Sequence, residues 1–192
     1  MSPTVNSKRL FIAVDSFHVI MNINKALDKV RKRIMKGKKS DSIDYYLLKN
    51  FHWLLLTDEV RENKRRFNKR LQRYINYPQI LDLLLNISPE LKAAYEFKDL
   101  YLCFNRISDY DHAEHDFLDF MIKVKYCKIP EMVEMIKTLN NWHDEIINSF
   151  IVVNGKRLSN GIMESRNSIV KLIKKTGNGY VNFARFRNRC MY

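Results

Sequence analysis

A mainly α-helical fold, a helical bundle with one short strand, is what this 192-residue sequence predicts, on three observations. Apolar residues recur at helical spacing over most of its length. Pro78, Pro89 and Pro130 each stand where such a pattern begins, the first-turn position that proline tolerates. The convincing strand patterns reduce to the five-residue run LFIAV at 10–14 and a short run at 151–153. With 46% hydrophobic residues, 5 Gly and 4 Pro, the chain can bury a core, and its composition excludes a disordered protein.

In chain order, 10–14 reads as a buried strand that ends at Asp15 and lacks a partner strand. Val19, Ile20, Ile23, Leu27, Val30 and Ile34 then mark a basic helix over 17–35. Residues 45–56, with Trp53 inside F-H-W-L-L-L, predict an inner helix, and 61–74 a strongly basic one. The helices that follow the three prolines are expected to end near Asn86, Ile107 and Phe150, and 110–127 supplies another with an acidic outer face. Trp53 and Trp142 lie on apolar stripes and read as core residues rather than base-stacking platforms. The run I-V-V-N-G-K at 151–156 is a turn.

The formal charge is +13, which points to a polyanionic partner, nucleic acid before membrane. It is confined to three blocks. Residues 1–39 hold ten Lys/Arg against two acids, 61–76 seven against one, and 156–192 nine against one, whereas 77–155 hold seven against thirteen. Cys103, Cys127 and Cys190 are too few and scattered for a disulfide framework, which fits a reducing cytoplasm. His112 and His115 with Cys103 and Cys127 lack any C-x-x-C spacing, and an exposed acidic helix accounts for the histidines without zinc. No stretch approaches the roughly 20 apolar residues of a spanning helix, so no membrane partner is expected.

The densest functional signal is in 159–192, SNGIMESRNSIVKLIKKTGNGYVNFARFRNRCMY. Ser159 or Asn160 can cap a helix there and Gly177 or Gly179 can end it. At about 100° per residue, Glu164, Asn167, Ser168, Lys171 and Lys175 share one face, with Ile162, Met163, Ile169, Val170, Leu172 and Ile173 opposite. A carboxylate followed by lysines suits a place where a hard cation such as Mg²⁺ meets a phosphate backbone; it also suits a solvated helix face tuned to the macrodipole. Likewise Asp15 and His18, three apart at a strand end, fit either a cleft or a plain N-cap with a first-turn histidine.

The wording S-N-G-x-x-E-S-x-N-S-x-x-K-x-x-K-K-x-x-x-G-Y-x-N-F-x-x-F-R-x-R resembles the carboxy-terminal signature of the ISL-three group of bacterial insertion-sequence transposases, of the DDE class. I-A-V-D-S-F-H-V-I-x-x-I-N-x-A-L-D-K-V-R-x-R-I-M is similar to the same group. The resemblance implies that Glu164 is the third metal-binding carboxylate of an Mg²⁺-dependent site, that Asp15 and His18 line that site, and that Asp15 and Glu164 are its metal residues. Whether Asp15 is a direct ligand stays open. Lys171, Lys174, Lys175, Arg185, Arg187 and Arg189 are then expected on DNA phosphates at insertion-sequence ends. The implied layout is the last strand and basic helix of a ribonuclease-H-like core at 1–39, an all-helical insertion at 40–155, and the terminal helix with a basic tail at 156–192.

DDE chemistry needs two metal ions on three carboxylates. The family's first two acids precede the D-x-F-H element, and only fourteen residues precede Asp15 here. The expectation is therefore the carboxy-terminal portion of a transposase from a truncated gene, cytoplasmic at a bacterial nucleoid, inactive alone and without stably bound Mg²⁺. Arg166, where the family has an aliphatic residue, and Cys190 are departures that agree with decay. A second reading is a stand-alone DNA-binding protein that occupies transposon ends or joins a full-length transposase and regulates it. A third is a basic helical protein with no retained function, whose acidic insertion face meets its own basic blocks.

Overall fold

The computed structural model describes residues 12–153, 155–157, 171–175 and 187. Among them the chain is mainly helical, as its periodicity predicts. Helix α1 (Ser16–Lys36) begins where the Asp15 side chain accepts from the Phe17 N–H and stops at Gly37, whose N–H returns to the Ile34 carbonyl. Val19, Ile23, Leu27 and Val30 form its wholly buried stripe. Residues 12–14 are not paired in a ladder. Instead the Val14 N–H donates to the Glu145 carbonyl at 3.0 Å, and Asn148 Nδ2 to the Ile12 carbonyl at 3.1 Å, so this part of the expected strand lies along a helix. Residues 10 and 11 lie outside the described residues.

The helix expected at 45–56 is two, α2 (Ile43–Asn50) and α3 (His52–Leu56), broken at Phe51 with φ −115° and ψ 16°. The break lets Leu47 and Leu48 face the same core as Leu54 and Leu55, all buried. It also turns Trp53 outward, edge-on to Tyr77 at 4.9 Å, so Trp53 is a surface residue, whereas Trp142 packs half-buried against the core.

The basic helix expected at 61–74 is a hairpin, β1 (Arg66–Asn68) antiparallel to β2 (Arg73–Ile75). Phe67, Leu71, Tyr74 and Ile75 happen to keep helical spacing, which is what misleads. The local chemistry favours the turn. Asn68 Oδ1 accepts from the N–H groups of Arg70 (3.0 Å) and Leu71 (3.1 Å), and Gln72 takes φ 51°. Register then sets Phe67 beside Tyr74, with ring centroids 5.3 Å apart.

Helix α4 (Tyr77–Leu85) opens with a capping box between Asn76 and Gln79, and α5 (Pro89–Ile107) follows its proline as expected. Helix α6 (Tyr110–Lys125) is capped by Asp109. The final proline helix ends early, as α7 (Pro130–Asn141), and the chain resumes as α8 (His143–Asn148) after a break at Trp142. Strands β3 (Val152–Val153) and β4 (Lys156–Arg157) close a small hairpin in which Gly155 adopts φ 74°.

Helix α1 is the axis of the bundle. It packs chiefly on α5 and α7, with α2 and α3 on another flank and α6 bridging α5 and α7. One apolar cluster runs from Val19 to Phe150, and Tyr101, Phe104, Phe117, Phe120 and Phe150 form its aromatic end. Two buried cations act as struts. Arg31 donates to Asp28 Oδ1 at 2.6 Å and to the Leu48 carbonyl at 2.8 Å, which ties α1 to α2. Lys98 donates to the carbonyls of Leu55 (3.0 Å) and Thr57 (2.6 Å), filling the open end of α3 while its ammonium sits 4.3 Å from the Tyr95 ring centroid. Burial pushes the Lys98 pKa down.

Replacing Arg31 by Met leaves Asp28 and the Leu48 carbonyl short of a partner. It is expected to cost about 3 kcal/mol in urea unfolding. A loss below about 1 kcal/mol would show that water replaces the guanidinium.

Candidate functional site

Asp15 and His18 lie at the amino-terminal end of α1. Asp15 is half-buried, and its Oδ1 is engaged 2.9 Å from the Phe17 N–H, so one carboxylate oxygen belongs to the helix cap. The His18 N–H meets the Asp15 carbonyl at 2.9 Å, and its half-buried ring stands edge-on to Phe17 at 5.8 Å. Phe17 and Ile12 are exposed beside them, at 63% and 60%, so an apolar rim surrounds this end. Of the apolar residues at this chain end, Ala13 is buried and Val14 half-buried.

The topology brings a distant part of the chain to the same place. Through Val14 to Glu145 and Asn148 to Ile12, the entry to α1 lies against α8, from which the chain proceeds directly to the β3–β4 hairpin. That exit is fixed in turn. Arg157 Nη1 donates to the Asn105 carbonyl at 2.6 Å, Nη2 bonds the Ser108 carbonyl, and the guanidinium lies 4.3 Å from the Phe150 ring centroid. Arg157 thereby serves the carboxyl end of α5, a common use of arginine at exposed helix carbonyls.

Glu164, Arg185 and Arg189 lie outside the described residues, as do Arg166 and Cys190. Residues 171–175 are helical, with Lys171, Lys174 and Lys175 exposed. Leu172, expected on the buried face, is 60% exposed, and Ile173 is half-buried; Arg187 is exposed. Among the described residues no group of three or more His, Cys, Asp or Glu converges as a metal shell. Asp15 and His18 alone do not supply the three carboxylates that a metal pair asks for. His112 is engaged with Asp109 at 2.7 Å on the acidic helix.

The three basic blocks behave differently. In α1, Arg33 forks to Glu131 (Nε–Oε1 2.7 Å) and Glu90 (Nη1–Oε2 2.8 Å), Lys29 reaches Glu134 at 3.3 Å, and Lys32 reaches Asp28 at 2.8 Å. Glu90 and Glu131 each follow a helix-opening proline, so Arg33 joins the first turns of α5 and α7. Much of the first block is thus spent inside the bundle. The cations of the block at 61–76 stay exposed, with no carboxylate in ion-pair contact with Arg65, Arg66, Lys69 or Arg73 among the described residues.

The transposase family DDE_Tnp_ISL3 matches residues 6–190, nearly the whole chain. The chain belongs to this ISL3 transposase family. No curated protein and no solved structure matches it significantly. For the transposase chain the family spans both landmarks, the D-S-F-H element at Asp15 and the signature around Glu164. No helix among its described residues is long and apolar enough to cross a membrane.

The ion pairs of α1 contribute to the acid response of the transposase fold. The Arg33 hydrogen bond holds the Glu131 carboxyl below its ordinary value of 4.5. Burial opposes ionisation of Asp28, but hydrogen bonds from Lys32 and Arg31 prevail and hold it below 3.8. Both carboxyls are lowered in the folded state, so their stabilisation is complete above those ordinary values and is lost as pH falls through the folded ones. The urea midpoint is therefore expected to drop on acidification from about pH 5 to about pH 3, and less so in Glu131→Gln; a flat profile would contradict the pairing.

Proposed function

We propose that this chain is a transposase portion whose family role is DNA cleavage and strand transfer at insertion-sequence ends and which is inactive alone, with Glu164 as a metal-binding carboxylate and Asp15 and His18 beside it. The family match over 6–190 carries the reading. Its support in the fold is the pairing of the α1 entry with α8, since residue 164 follows Asn148 by only sixteen positions although Asp15 is far away in sequence. In this reading Lys171, Lys174, Lys175, Arg185, Arg187 and Arg189 neutralise DNA phosphates. Residues 1–39 correspond to the last strand and basic helix of a ribonuclease-H-like core, 40–155 to a helical insertion, and 156–192 to the terminal helix and tail.

Mg²⁺ bound by such carboxylates would activate the attacking hydroxyl and stabilise the leaving oxygen. The chain's own residues prepare for it. The Phe17 N–H fixes one Asp15 oxygen and leaves the other for a ligand, while the exposed lysines at 171–175 supply positive charge for a phosphate backbone.

Carboxylates that share a metal pair approach within roughly 4–8 Å. Cysteines placed at Asp15 and Glu164, in a chain whose Cys103, Cys127 and Cys190 are serine, are therefore expected to be joined by a short bismaleimide. Absence of that cross-link in a folded sample would refute the shared site.

A second assay concerns the 192-residue polypeptide by itself. Its assigned donors fall short of three carboxylates, so no strand transfer or cleavage above background is expected with Mg²⁺ or Mn²⁺. Metal-dependent activity abolished by Glu164→Gln would show that these residues suffice. A regulatory DNA-binding role, alone or with a full-length transposase, is favoured by one observation. The exposed cations at 61–76 and 171–175 need no metal to act on DNA.

A further inference from the structure

The β1–β2 hairpin is held so that one face belongs to the bundle and the other to solvent. On the inner face Ile75 is buried, Asn68 bonds the Tyr46 hydroxyl (Nδ2–Oη 3.2 Å), and Arg70 donates to the Asp41 carbonyl at the tip. At the base the Tyr77 N–H donates to Asn63 Oδ1 at 2.7 Å. The ribbon is therefore anchored at its root, its middle and its tip, on a rigid support of the kind binding sites use.

The outer face is occupied by the cross-strand pair Phe67 and Tyr74, which are 49% and 69% exposed. Arg65 and Lys69 lie two positions either side of Phe67, just beyond β1, whereas Arg66 and Arg73, register partners of Ile75 and Asn68, alternate to the other side of the ribbon, and all four are exposed. Two adjacent exposed rings with four exposed cations, and no carboxylate in ion-pair contact with them among the described residues, are poor surface design for an unpartnered protein. The single acid of the block, Glu62, is engaged with Asn76.

We propose that this hairpin is a duplex-DNA-binding ribbon, whose basic residues take phosphates on either side of the major groove while Phe67 and Tyr74 meet the apolar groove floor. A two-stranded antiparallel ribbon fits a major groove about 12 Å wide, and thymine methyl groups offer an apolar partner there. Charge selects the occupant. A local excess of six positive charges in sixteen residues suits a polyanion, and aromatic rings suit a polyanion with apolar base edges. The inference rests on DNA being the partner of this chain, but not on the carboxylate site.

The test is fluorescence anisotropy of the full chain with a mixed-sequence duplex at salt between about 50 and about 200 mM. Substituting Arg65, Arg66 and Lys69 by Ala is expected to lower the slope of log affinity against log salt by about 2 to 3. Removing Lys25, Lys36 and Lys39, equally exposed cations of α1 and the loop after it, is expected to change the slope by less than about 1. Phe67→Ala with Tyr74→Ala is expected to weaken binding about tenfold or more with the slope unchanged. These side chains are exposed, and an unchanged melting curve confirms that each variant is folded. Wild-type slope and affinity in the hairpin variants would overturn the inference, as would equal losses in both triple variants, which would mean net charge alone. Loss confined to single-stranded DNA, or a change in self-association without a change in DNA binding, would also overturn it. A wild-type chain that binds no DNA would remove the DNA reading as well as the hairpin's part in it.

Discussion

Burial of the apolar stripe of α1 is the constraint on which the rest of this structure depends. Val19, Ile23, Leu27 and Val30 are sealed by helices drawn from both later parts of the bundle, so α5 and α7 must both lie against α1 wherever it goes. Each fully buried aliphatic side chain contributes about 1.5–3 kcal/mol, and four in register outweigh any single ion pair described for this helix. The polar contacts then select an arrangement among those that bury the stripe. Arg31 fixes α2, Arg33 aligns the openings of α5 and α7, and Asp15 sets where the helix starts.

This arrangement changes what the sequence charge means. Read linearly, residues 1–39 are as basic as 156–192, and either could be assigned to phosphates. In the fold, the acidic middle of the chain meets α1, and Glu90, Glu131 and Glu134 engage its cations. The third of the sequence-based readings thus describes the first block well. It does not describe 61–76, where the cations remain exposed and aromatic rings join them.

Much of the fold was legible because caps and periods are local. Asp15, Ser42, Asn76 and Asp109 all accept from a backbone N–H near a helix start, and all three mid-chain prolines open helices. The failures come where two periods compete. Phe67, Leu71, Tyr74 and Ile75 satisfy a helical spacing, and only the Asn68 turn, a feature of one side chain with two N–H groups, decides for a ribbon. Breaks at Phe51 and Trp142 were illegible for a related reason: bulky residues that continue a hydrophobic pattern give no stop signal, and tertiary packing sets the bend. Of the site, the cap role of Asp15 was one of the two readings its spacing allowed, whereas the exposed face of Leu172 was not legible, because amphipathic spacing says which residues share a face and not what covers it.

The order of synthesis gives the central position of α1 a further meaning. This helix leaves the ribosome first among the described elements, yet α5 starts 53 residues beyond its last residue and α7 ends 105 beyond it. At roughly 5–20 residues per second, its apolar stripe waits several seconds to about 20 seconds for the surfaces that seal it. Of the described helices that pack on α1, α2 and α3 are the ones that emerge in that interval. A chain built this way makes early demands on chaperones, and its yield in a cell depends on translation speed through the stretch between Phe51 and Asn141 as much as on the stability of the finished bundle.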